Sequence, residues 1–197
     1  MAFAATASHE LLRDDGEHLS EEYLHWAAKQ RDKLPYPEEG TTLRAAAAGL
    51  AELGQPREVL WPYDDRRDQR SPSYAPPPAT HADALQRRIR GGGAEAATSA
   101  AVKRVLDGGR AVLLGIRLFA TWYKPRAGGE IGLPAPGAVD LGGHAVLVVG
   151  YRPDGTFVVR NSWGAGWGDD GYGYLPTSYV DTHGVEAWSL ALASGEE

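Results

Sequence analysis

The 197-residue sequence contains no cysteine. Disulfides and thiolate metal sites are therefore excluded, and the fold must rest on its apolar core. The same absence is compatible with either redox environment, so it assigns no compartment. No apolar run approaches the ~18 residues that span a bilayer, and no membrane segment is expected. The opening stretch "MAFAATASHELLRDDG" lacks a basic leader, and a His and a Glu arrive before any long apolar run. It reads as a mature helix of a soluble chain rather than a signal peptide. The six histidines are dispersed, without HExxH or other close ligand spacing, so neither a metal nor another cofactor is expected. A formal net charge of −6 and the lack of any long basic run argue against nucleic acid as a partner. "YDDRRDQR" mixes both signs and reads as a solvated loop. Oligomeric state is left open.

What is present suits a globular domain. Apolar residues make up 43% of the chain, enough for a core in one domain of this length. The first half has helical character. Phe3, Ala7, Leu11 and Leu12 recur at helical spacing before the stop "DDG". In "LSEEYLHWAAKQRD", Ser20 is an N-cap candidate, acids follow it, and Leu24, Ala27 and Ala28 form a stripe. "GTTLRAAAAGLAELG" repeats the pattern, with a Thr cap and Gly54 as the stop. Residues 55–80 are dense in proline and read as extended surface chain. "HADALQRRIR" suits a short helix or a turn. The glycines of residues 91–93 read as a break before a helix over residues 97–106.

At Arg110 the signal changes. "RAVLLGIRLF" is a branched apolar run of strand length, and residues 124–139 are a Gly/Pro loop. "HAVLVVGY" and "TFVVRNSW" are strand-like runs joined by the turn "RPDG". "GYGYLP" and "VEAWSLAL" supply further strand candidates. Helices followed by strands predict an α+β fold: a helical lobe over residues 1–109 packed on an antiparallel sheet lobe over residues 110–197.

The chemistry sits on the hairpin. His144 begins one strand and Asn161 ends its partner, 17 residues later. An amide oxygen can hold one ring N–H and so fix the tautomer of an imidazole that serves as a base. A neutral amide suits a thiol nucleophile, because a Cys–His pair can rest as thiolate and imidazolium. The spacing alone leaves a plainer alternative, a strand-end histidine and a turn-forming asparagine. Trp163 stands two residues after Asn161, where an indole can cover the pair. Gly164, Gly166 and Gly168 permit a tight loop beside it.

"GGHAVLVVGY" and "RNSWGAGWGDDGYGYLP" resemble the histidine and asparagine motifs of papain-like cysteine peptidases. The resemblance, in the bacterial style of the family, implies a two-lobed papain-like domain that binds a peptide or protein substrate in the groove between its lobes. It makes His144 the catalytic histidine, Asn161 its orienting partner and Trp163 their shield, with Gly143 a supporting position. "AFAATASHE" is similar to the start of the family's central helix, which carries the nucleophile in a stretch of the form G-x-C-x-A-F. Matching Ala2 and Phe3 to the last two letters puts the cysteine one position before Met1. The expectation is a reading frame that starts further upstream, with the chain as written inactive. The alternative is a catalytically dead relative that holds peptides or a partner protein. A third reading is an acyl transferase on the same fold.

Overall fold

The computed structural model describes residues 1–32, 40–71 and 73–192. The chain divides into two compact units, Met1–Gly93 with Leu190–Glu197, and Ala94–Ser189.

The first unit is built on three helices, α1 (Ala2–Arg13), α2 (Glu21–Lys29) and α3 (Leu43–Glu52). The caps are those the sequence suggests. Ser20 and Thr42 accept from the backbone N–H groups of Tyr23 and Ala45, satisfying donors that a helix start leaves unpaired. Glu21 and Glu22 in the first turn of α2 and Lys29 in its last complement the helix dipole. Leu24, Ala27 and Ala28 are buried as the stripe predicts. The stripe expected on α1 is not the observed one. Its buried residues are Ala4 to His9 without interruption, whereas Leu11 is 54% exposed. Six consecutive buried positions run around the whole helix, so a single apolar stripe does not describe it. At Gly54, with φ +73°, an added Cβ would stand 1.9 Å from the carbonyl oxygen of Ala84. Only glycine permits that approach.

The proline-dense stretch contains more regular structure than its composition suggests. It holds a 3₁₀ turn, Glu58–Leu60, and it ends in α4 (Pro78–Leu85), where proline at the first helical position supplies a preset φ. Tyr23, Trp61 and Tyr74 pack here with Ala27 and Ala84.

Two sequence expectations need correction. The glycines of residues 91–93 lie within a strand, β1 (Ile89–Glu95), and the following helix, α5, spans Ser99–Asp107 with Thr98 as its cap. Glycine has low intrinsic strand preference, so pairing at the sheet edge, rather than propensity, fixes β1. A short helix, α6 (Thr177–His183), also interrupts the strand-rich half, starting directly after Pro176. The remaining strands are β2 (Val112–Arg117), β3 (Gly143–Tyr151), β4 (Phe157–Arg160), β5 (Tyr172–Leu175) and β6 (Gly184–Leu192). Their order is β1-β6-β2-β3-β4-β5, and β2–β3, β2–β6, β3–β4 and β4–β5 all pair antiparallel. One face of β2, β3 and β4 joins Val102 and Val105 of α5 and Tyr179 and Val180 of α6 in the core of the second unit. Among the described residues, no helix is long and apolar enough to cross a membrane.

Candidate active site

Strand register brings the two predicted residues together. On β3, Leu147 stands opposite Arg160 of β4. One step further along, Asn161 comes level with Val146, and His144 lies two residues away on the same face. Side chains in that diagonal relation are within reach of each other. His144 Nε2 and Asn161 Oδ1 are 2.9 Å apart. An amide oxygen only accepts, so Nε2 carries the proton and Nδ1 is the basic nitrogen of the neutral ring. The backbone N–H of Ser162 also donates to Oδ1, at 2.8 Å, which fixes the amide's orientation. The Asn161 backbone N–H is tied to the Gly171 carbonyl at 3.0 Å.

Asn161 is buried, whereas His144 is half-buried at the solvent-facing start of its strand. Burial lowers the imidazole pKa below the ordinary histidine value, and the hydrogen bond it donates to Asn161 opposes that shift. The ring is therefore held neutral near pH 7, as a proton acceptor requires. Gly143 opens β3 immediately before His144 and is exposed.

Aromatic rings enclose the pair. Trp163 lies over His144 with ring centroids 4.9 Å apart at a tilt of 33°. Tyr123 stacks on the same indole, at 5.2 Å and 4°. Trp122 presents an edge-to-face contact to His144 at 5.9 Å and stacks on Trp167 at 6.0 Å. Trp167 Nε1 donates to the Trp122 carbonyl at 2.6 Å. The loop that carries Trp163 and Trp167 closes through Gly168, whose φ is +63° and where a Cβ would meet the Tyr172 carbonyl oxygen at 2.1 Å. Of this cage, sequence reasoning identified Trp163 but missed Trp122 and Tyr123. They lie 22 and 21 residues before His144 on a short 3₁₀ turn, Ala120–Trp122, and its cap. The only available signal was the adjacent pair of aromatics in "ATWYKP".

The chain has a papain-like fold, with this hairpin in its second unit. Residues 135–191, which include His144, Asn161 and Trp163, match the sequence profile of the papain family cysteine proteases. Xylellain, a cysteine protease from Xylella fastidiosa, has the same fold with a TM-score of 0.87 and 25% identity, over 98% of this chain and 78% of that one. The bromelain protease of Ananas comosus, solved in complex with the E64 inhibitor, superposes with a TM-score of 0.71 at 20% identity, over 98% and 88% of the two chains. In sequence, an uncharacterized peptidase C1-like protein of Acanthamoeba polyphaga mimivirus is 37% identical over 82 residues, 40% of this chain and 26% of that protein. Papain of Carica papaya is 43% identical over 42 residues, 21% of this chain and 12% of that protein. These matched segments thus span about a quarter or less of the relatives' own length.

Proposed function

We propose that this chain is the base-bearing part of a cysteine-type peptidase, with His144 as the proton acceptor, Asn161 as its orienting partner and Trp163 as their cover. The observation that carries this reading is the 2.9 Å contact between His144 Nε2 and Asn161 Oδ1 beneath an indole. It leaves Nδ1 as the basic nitrogen, and no hydrogen-bond partner for that atom occurs among the described residues. A thiol placed against Nδ1 would lose its proton to the ring. The thiolate would then attack a peptide carbonyl, and the imidazolium would protonate the leaving amine. Water, deprotonated by the same ring, would hydrolyse the acyl-thiol intermediate.

The 197 residues contain no thiol, so by themselves they cannot follow this route. From the resemblance of "AFAATASHE" to the start of the family's central helix, we propose that a cysteine encoded directly before Met1 supplies the thiol. The competing reading, a peptide- or protein-binding relative without catalysis, is favoured by one observation, the complete absence of cysteine.

The test is to express the chain with the residues encoded immediately upstream and to assay a fluorogenic peptide library. Hydrolysis that iodoacetamide abolishes, and that the 197-residue chain lacks, is the expected result. An upstream sequence without cysteine, or an extended protein that is alkylated yet hydrolyses nothing, would favour the binding reading.

A further inference from the structure

Trp122 is fully buried, yet it is the second indole against His144. Three contacts fix its position: the edge-to-face approach to the imidazole, the stack on Trp167, and a T-shaped contact with Tyr179 at 5.9 Å. The hydrogen bond from Trp167 Nε1 to the Trp122 carbonyl ties the backbone of this turn to the loop that follows Asn161. The 3₁₀ turn and the Asn161 loop, far apart in sequence, are thereby tied together, and both contact one imidazole. Trp163 covers the ring and is itself only half-buried, stacked on the exposed Tyr123. The fully buried contact comes from Trp122.

We infer that Trp122 is a positioning residue for His144: it sets the plane of the imidazole so that Nε2 stays on Asn161 and Nδ1 stays free. This rests on the reading of His144 as a base only for its catalytic meaning; the positioning itself concerns the ring alone. Hydrogen bonding to Asn161 leaves the imidazole free to swing about the Nε2–Oδ1 axis, and an edge contact from a fixed indole removes that freedom. The side chains packed against the ring within this unit, Asn161, Trp122 and Trp163, are uncharged, so loss of Trp122 acts through hydration and ring orientation rather than through a new charge.

The experiment uses the 197-residue chain, which has no thiol to complicate it. The tautomer and titration of His144 are followed by long-range ¹H–¹⁵N correlation spectra in the unaltered protein, in Trp122→Leu and Trp122→Phe, and in Val148→Ala. The last opens the same core at a side chain outside the aromatic cage of His144. In Trp122→Leu the ring nitrogens should lose their single-tautomer signature and the titration midpoint should rise toward the ordinary histidine value. Trp122→Phe, which keeps an aromatic edge, should fall between Leu and the parent, and Val148→Ala should leave both readouts unchanged. A His144 that keeps its tautomer and midpoint in both Trp122 variants would overturn the inference, as would an equal shift in Val148→Ala. Should Trp122→Leu fail to fold, Trp122→Phe and the parent decide the matter. Nuclear Overhauser contacts between the Trp122 indole and the His144 ring are required in the parent, and their absence would overturn the inference. In the cysteine-extended protein, Trp122→Phe should lower kcat and shift the pH profile with little change in KM. A parent without activity would count against the proposed function and leave the spectroscopic result standing.

Discussion

Two histidine–amide pairs occur among the described residues, one in each unit, and their surroundings differ. His9 Nδ1 lies 3.0 Å from Gln55 Oε1 in the first unit, and His144 Nε2 lies 2.9 Å from Asn161 Oδ1 in the second. Around His9 the partners are polar and internal. Gln55 Nε2 donates to Thr6 Oγ1 at 2.6 Å and to the Ser20 carbonyl at 3.0 Å. His9 itself is 0% exposed, and its Nε2 has no partner. Around His144 the partners are aromatic rings and the imidazole is half-buried. A hydrogen-bonded histidine is thus no mark of catalysis by itself. What separates the pairs is exposure: the His9 ring meets no solvent and is held by Gln55, which also bonds Thr6 and the Ser20 carbonyl, whereas the imidazole of His144 is only half-buried.

The comparison breaks most sharply in activity. In a cysteine-extended protein, His144→Ala should reduce kcat/KM by about 10³-fold or more, since the base acts as a unit with the nucleophile. His9→Ala, in the fraction that stays folded, should leave kcat within a few-fold of the parent. Steady-state kinetics on matched folded concentrations checks both. Asn161→Ala should cost less than His144→Ala, on the order of 10–10²-fold, because the base remains and only its tautomer and orientation are released.

Stability should show the reverse ranking. Burial lowers the His9 pKa from its ordinary value of 6.5 to about 4. The unfolded chain therefore takes up a proton near pH 6.5 that the folded chain resists until about pH 4. Stability is complete above the unfolded value and falls as the pH drops through this window, by roughly 3 kcal/mol in total from this residue. Chemical denaturation at pH 7 and at pH 4.5 measures the loss, and His9→Ala should flatten most of that slope. His144, whose pKa burial also lowers, should contribute in the same direction but less, so His144→Ala should flatten it only slightly.

Smaller effects sharpen the same contrast. Gln55→Leu should destabilise the first unit by about 1–3 kcal/mol, because His9, Thr6 and the Ser20 carbonyl all lose a buried partner. Thr42→Ala should cost about 1 kcal/mol through the lost cap on α3, with no effect on His144 chemistry. Urea midpoints resolve both.

What could be read from sequence divides along the range of the interactions. His144 and Asn161 were legible because a single hairpin joins them: "RPDG" sets the turn, and strand alternation sets the faces. Ser20 and Thr42 were legible because a cap acts over three residues. Trp122 was not, since the contact to His144 depends on β2 pairing with β3 across the 25 residues between them. His9 and Gln55 are 46 residues apart and meet only when α1 and the end of α3 come together. The strand β1 was hidden by its own glycines, and α6 by its position among strands. The thiol was inferred from resemblance alone.

The measurement that bears most directly on the central claim is the pH dependence of iodoacetamide alkylation in the upstream-extended protein, compared with its His144→Ala variant. If His144 and Asn161 form a thiol-activating pair, the intact protein should be alkylated rapidly well below the ordinary thiol pKa of about 8.5, and His144→Ala should move the curve up toward that value. Superimposable alkylation curves, or a thiol that titrates as an ordinary cysteine in the intact protein, would contradict it.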